Sequence, residues 1–280
     1  MSSEVQTTNP AKAAPRLFWW KEAALIGIFY ALYTFSRNRF GSARLADLGQ
    51  PTQAFDNARQ LIDIERAVGL FHERAIQDFF LEARWFIKFW NVFYGTAHFV
   101  VTIGIFVWMY RRKREIFTKW RNCILATTAL ALIGFSLYPV MPPRLLDSTS
   151  HYGGAQILEE RGIDKYGFVD TLEEVGGLWS FDSGTMSKLS NQYAAMPSLH
   201  CGWATWCALV GWRLTRRRWA RALLVIYPFS TLFCIIVTGN HYWIDGIGGL
   251  ITLGVGYLIG HYFDAWNDTR VARRAAQKIE

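Results

Sequence analysis

The chain has 280 residues, of which 51% are hydrophobic, 16% aromatic and only 19% charged. That apolar load is more than a soluble core of this size holds, and it excludes a disordered chain, a collagen-like repeat and a disulfide scaffold. The net charge of +8 is no nucleic-acid footprint, because half the cations sit in three short segments (111–121, 213–221 and the tail after Phe263), each beside an apolar run, as cytoplasmic loops flank membrane spans.

In chain order, residues 1–16 are polar and read as a disordered cytoplasmic tail without a cleavable signal. A membrane-embedded domain follows over 17–263. A span needs about 20 apolar residues, and six stretches qualify: 17–35, 85–110, 120–138, 199–213, 219–238 and 242–263. Between the first two, segment 52–83 reads as amphipathic helix at the outer interface. Phe55, Ala58, Ile62 and Val68 share a face, Gly69 is the stop, and Phe71, Ala75, Ile76, Phe79 and Phe80 form a second short helix. Segment 139–198 is an outer loop with an acidic bias and no strong period, and 264–280 is a basic cytoplasmic tail. The predicted fold is all-α, a polytopic helical bundle of about six transmembrane helices with interfacial amphipathic helices. The basic clusters place both termini inside and the loops 36–84 and 139–198 outside. The seven arginines in 36–84 fit that rule less well. Cys123, Cys201, Cys207 and Cys234 all fall in apolar runs without metal or disulfide spacing, so they read as buried free thiols.

Ionisable residues inside spans are costly and mark function. His200 starts the fourth span, and His241 with Asp245 starts the sixth, at the same depth on the same side. His241 and Asp245 are i and i+4, so their side chains meet. A carboxylate on one imidazole nitrogen fixes the tautomer and makes the other nitrogen a nucleophile. His200 can then protonate a leaving oxygen and activate an acceptor hydroxyl. Asn91, Tyr94 and His98 share a face of the second span. At 1.5 Å per residue His98 would lie roughly 20 Å below the outer surface, too deep for the reacting groups, where it bonds across helices or lines a headgroup cleft.

At these residues the sequence resembles a known family. Ala195-Met196-Pro197-Ser198-Leu199-His200 and Thr238-Gly239-Asn240-His241-Tyr242-Trp243-Ile244-Asp245 resemble the P-S-x-H and H-x-x-x-D motifs of the type 2 phosphatidic acid phosphatase superfamily. Together with Tyr138-Pro139 and Pro142-Pro143-Arg144 they look most like its inositol phosphorylceramide synthase-like branch, over roughly residues 55–262. The resemblance implies that His241 attacks phosphorus, Asp245 orients it, and His200 is acid and then base. Ser198 would hold the phosphate at a helix N-terminus, Asn240 and Tyr94 join it as candidate binding residues, and no metal or cofactor is implied. Two features depart from the family pattern. The arginine six residues before the second histidine is Ile235 here, and the K-x6-R-P motif is absent, since Arg59 and Arg66 keep the spacing but Ala67 replaces the proline. The cation that phosphoryl transfer requires is then expected from Arg144, with Lys88 and Arg84 in reserve.

The expected function is a lipid phosphotransferase working on the extracytoplasmic side. It would move a phosphate-linked, phosphoinositol-like headgroup between membrane lipids through a phosphohistidine. The alternatives are a phosphatase with water as acceptor and, more remotely, a lipid transporter. A transporter would carry inverted repeats and interrupted mid-membrane helices, and no internal repeat is found.

Overall fold

The computed structural model describes residues 18–40, 51–177 and 191–277. The expected tail 1–16 lies outside them, as does the 178–190 part of the outer loop. In chain order the helices are α1 (Trp19–Phe40), α2 (Thr52–Ala67), α3 (Glu73–Leu81), α4 (Arg84–Arg112), α5 (Arg114–Leu137), α6 (Pro143–Leu146), α7 (Ala155–Glu160), α8 (Thr171–Glu174), α9 (Leu199–Leu214), α10 (Arg218–Val237) and α11 (Trp243–Ala276). Among the described residues there is no strand, only an isolated bridge between Val140 and Ala194.

Among the described residues four helices, α4, α5, α10 and the Trp243–Asn267 part of α11, are long and apolar enough to cross a membrane. Only 17% of the most apolar window of α4 is buried, so most of that apolar surface needs a lipid solvent. Trp85, Val100 and Ile103 on α4, Phe229 on α10 and Ile251 on α11 all stand exposed. The chain is therefore an all-α membrane bundle. The other two expected spans form helices but are not among these four. One of them, α9, has 16 residues, which is about 24 Å, and it is enclosed by α4, α5, α10 and α11.

Small residues let the bundle close. α11 packs most extensively on α5. A Cβ at Gly256 would stand 2.2 Å from Thr127 Oγ1, and one at Gly260 would stand 2.8 Å from the Cys123 backbone nitrogen. Close backbone approach over a small-xxx-small stripe is a common way for helices to associate in lipid, where no hydrophobic force drives them together. At the start of α5, Arg121 donates two bonds to the Glu22 carboxylate at 2.7 and 2.6 Å. This ties the charged start of α1 to the first turns of α5. All four cysteines are buried free thiols.

The amphipathic segment folds as its pattern predicts, with Phe55, Ala58 and Ile62 fully buried on α2. Val68 departs from the pattern. The helix ends at Ala67 and Gly69 takes φ +70°, so Val68 turns outward and is 62% exposed. The outer segment 139–177 is more ordered than its lack of period suggests. α6, α7 and α8 each bury apolar residues, and Leu145, Leu146, Ile157 and Leu158 join Phe55, Ile62, Tyr193 and Tyr242 in one outer core. One side chain ties its ends together: the Asp147 carboxylate accepts from the backbone nitrogens of Tyr166 and Phe168 at 2.9 and 2.8 Å. The basic tail also begins as helix, since α11 runs on to Ala276.

Candidate active site

The second motif is a helix stop followed by a helix start. At the end of α10, Gly239 takes φ +66°, a left-handed conformation that favours glycine. Its N–H donates to Ile236 O, and the Asn240 N–H donates to Ile235 O, both at 2.9 Å. These are the two bonds of a Schellman stop. The His241 N–H also donates to Ile235 O, at 3.1 Å, so the turn fixes the backbone that carries the histidine. Ile235 thus holds the loop through its carbonyl and brings no cation.

α11 begins at once, and its first amides would be orphaned in a poorly hydrated site. Asp245, at the third helical position, reaches back so that its Oδ2 accepts from Tyr242 N at 2.9 Å. The same oxygen lies 3.2 Å from His241 Nδ1. A carboxylate only accepts, so Nδ1 carries a proton, and in the neutral ring Nε2 keeps its lone pair. His241 is 2% exposed and Asp245 0%, and Asp245 Oδ1 has no partner among the described residues.

His200 comes from the first turn of α9, and its ring centroid is 5.6 Å from that of His241. Its Nε2 is buried without a hydrogen-bond partner among the described residues. An orphaned polar atom of that kind fits a site awaiting a ligand. Ser198 caps α9, its hydroxyl accepting from Cys201 N at 3.5 Å, and its own N–H donates to Asp245 O at 2.9 Å. The two motifs are therefore joined by backbone. The contact requires Gly249, where a Cβ would stand 2.2 Å from Ser198 O.

Tyr94 stacks on His200 with centroids 4.3 Å apart. His98, expected well below the site, instead meets His200 edge-on at 4.4 Å, its Nδ1 bonded to Tyr94 O at 3.0 Å. The depth argument fails because His200 opens α9 beside the third and fourth turns of α4, not at its outer end. Tyr94, His98 and His200 meet Phe93, Tyr227, Thr231, Cys234 and Ile235 around a tight crevice.

Arg144 is 7% exposed and is bound to the second motif. Its Nε donates to Asn240 Oδ1 at 3.0 Å, its backbone N–H donates to Gly239 O at 2.8 Å, and its terminal nitrogens reach Asp170 and Gln192. Among the described residues, three of the guanidinium's five N–H groups are thereby engaged. Asn240 also donates to Thr238 Oγ1 at 2.8 Å. Lys88 is exposed on α4, and no bond among the described residues joins it to the histidines. Arg84 is engaged with Glu174 O at 2.8 Å. Arg59 and Arg66 both lie against Tyr166, so their family-like spacing serves the outer core.

Sequence reasoning missed Asp170 and Gln192, which hold Arg144, and two buried acids, Glu65 and Glu73. Glu65 carried a legible signal. It follows Phe55, Ala58 and Ile62 at helical spacing on the apolar face of α2, where a carboxylate has no business without a partner.

The motifs, their shared backbone and the paired histidines lie within one matched region. A profile of the PAP2 superfamily matches residues 59–259, well over half of the chain. No curated protein and no solved structure matches significantly. The chain therefore belongs to the PAP2 superfamily, whose activity is that of phosphatases and phosphotransferases on lipid phosphates.

Proposed function

We propose that the protein is a membrane lipid phosphotransferase that moves a phosphate-linked headgroup, phosphoinositol-like in chemistry, from one lipid to the hydroxyl of another. The observation that carries this reading is the pair of imidazoles 5.6 Å apart with Asp245 on Nδ1 of one of them. His241 Nε2 attacks phosphorus, forming the P–N bond as the P–O bond to the donor lipid breaks. Protonated His200 gives its proton to the departing oxygen. His200 then takes the proton of the acceptor hydroxyl, whose oxygen attacks phosphorus and releases His241.

Charge on the equatorial oxygens is met by the Arg144 guanidinium and by the first amides of α9 behind Ser198. No step calls on a metal or cofactor. The aromatic wall of Tyr94, Phe93 and Tyr227 suits a lipid rather than a soluble phosphate ester. Ile235, standing where the phosphatase pattern has arginine, favours the synthase-like branch. The superfamily itself favours a second reading, hydrolysis, in which water replaces the acceptor hydroxyl. The site would face the extracytoplasmic side in a six-span topology with both termini inside.

The test is to incubate purified protein with radiolabelled phosphatidic acid or phosphatidylinositol in mixed micelles containing a lipid alcohol. Label in a new lipid supports transfer. Label released only as free phosphate or inositol phosphate establishes hydrolysis instead.

A further inference from the structure

Glu65 on α2 and Glu73 at the start of α3 are both fully buried. Each sends one carboxyl oxygen to the first turn of α11. Glu73 Oε1 accepts from Trp243 N at 3.3 Å, and Glu65 Oε1 accepts from Ile244 N at 2.9 Å. With Asp245 on Tyr242 N, three successive amides at the catalytic end of α11 are held by three carboxyl groups. The other oxygens, Glu65 Oε2 and Glu73 Oε2, are buried and meet no donor among the described residues, and because Trp243 N and Ile244 N are successive amides, the two carboxyl groups bound to them are neighbours. Two carboxylates cannot bond to each other. One proton between them makes the contact a hydrogen bond and removes one of the two charges.

We propose that Glu65 and Glu73 form a proton-sharing acid pair that clamps the first turn of α11 and thereby positions His241 and Asp245. The proposal rests on the reading of those two residues as the reacting pair. The titratable groups around the clamp are Asp245 and Tyr242, with Tyr166 beyond Tyr242. None of the groups that act on Glu65 is a cation. Burial first, and then the bond to Glu73, push the Glu65 carboxyl up to about 9, against the pull of the Ile244 N–H. A carboxyl raised in the fold above its ordinary 4.5 stabilises the fold fully below that value and loses the contribution as pH climbs to about 9. Loss of the shared proton also puts two like charges beside Asp245, which loosens the turn that carries the nucleophile.

The substitutions are Glu65→Gln and Glu65→Ala in the full-length protein in detergent. Glutamine keeps the acceptor for Ile244 N and places an NH₂ where the shared proton stands, so it imitates the clamped pair. Its kcat should stay within about threefold of wild type at pH 7, and the alkaline fall in kcat should vanish. Alanine should lower kcat about tenfold or more with KM nearly unchanged. Melting temperature should decline from pH 5 to 9 in wild type and stay flat in Glu65→Gln. Equal damage from glutamine and alanine, or one pH dependence of melting shared by wild type and Glu65→Gln, overturns the proposal. Activity surviving in His241→Ala would instead remove the catalytic reading, while the melting comparison still decides the clamp.

Discussion

Asp245→Asn separates what the carboxylate does by charge from what it does by shape. Its Oδ2 serves His241 Nδ1 and Tyr242 N together, and Oδ1 has no partner among the described residues. An asparagine can keep both bonds only by placing its NH₂ where Oδ1 stands, buried and unsatisfied, at about 1–3 kcal/mol. It also gives up a charge-assisted bond of about 1.5–3 kcal/mol. The flipped amide relieves the first cost but points N–H groups at His241 and Tyr242, which drives the imidazole proton to Nε2 and blocks attack. Both routes count against the productive arrangement, together by about 3–6 kcal/mol, or about 10²–10⁴-fold in kcat at 1.36 kcal/mol per decade. The assay is initial-rate transfer or release of label at saturating lipid, with circular dichroism and size exclusion to verify the fold. A folded Asp245→Asn with kcat within threefold of wild type refutes the reasoning, as does a loss that lies wholly in KM.

Arg144→Lys should lower kcat tenfold or more and also lower the melting temperature, because one ammonium cannot satisfy Asn240, Asp170 and Gln192 in the guanidinium plane; unchanged kcat would shift the cation's role elsewhere. Gly249→Ala drives a Cβ into Ser198 O at 2.2 Å, so it should cost about 1–3 kcal/mol in unfolding measurements and separate the two motifs; a neutral melting curve would contradict the close approach. In a cysteine-free background, Lys165→Cys should label from outside intact cells or oriented vesicles and Arg217→Cys only after permeabilisation. The reverse pattern sinks the proposed orientation.

Much of the site was legible because its logic is local. Asp245 follows His241 by one helical turn, and Pro197-Ser198 announces the start of α9, so short spacings sufficed. The helical bundle was legible for the same reason, since apolar runs and basic clusters need no tertiary information. What stayed hidden depended on distance in sequence. Arg144 and Asp170 lie 26 residues apart, and their bond follows from how α6 and α8 fold over the α10–α11 turn. The depth of His98 was misjudged because rise along one helix says nothing of where a neighbouring helix begins. Glu65 sat on an apolar face in plain view, but its partners are Glu73 and the α11 amides, which only the packed outer segment brings together.

The central claim is that His241 becomes covalently phosphorylated, and it holds for transfer and hydrolysis alike. Rapid quench of wild type with ³²P-labelled donor lipid, followed by alkaline peptide mapping, tests it directly. The account predicts one labelled peptide, carrying the group on His241 Nε2, stable to alkali, lost in acid, absent from His241→Ala and formed more slowly in His200→Ala, which lacks the acid of the first step as well as the base of the second. An acid-stable label, or one that persists in His241→Ala, contradicts it.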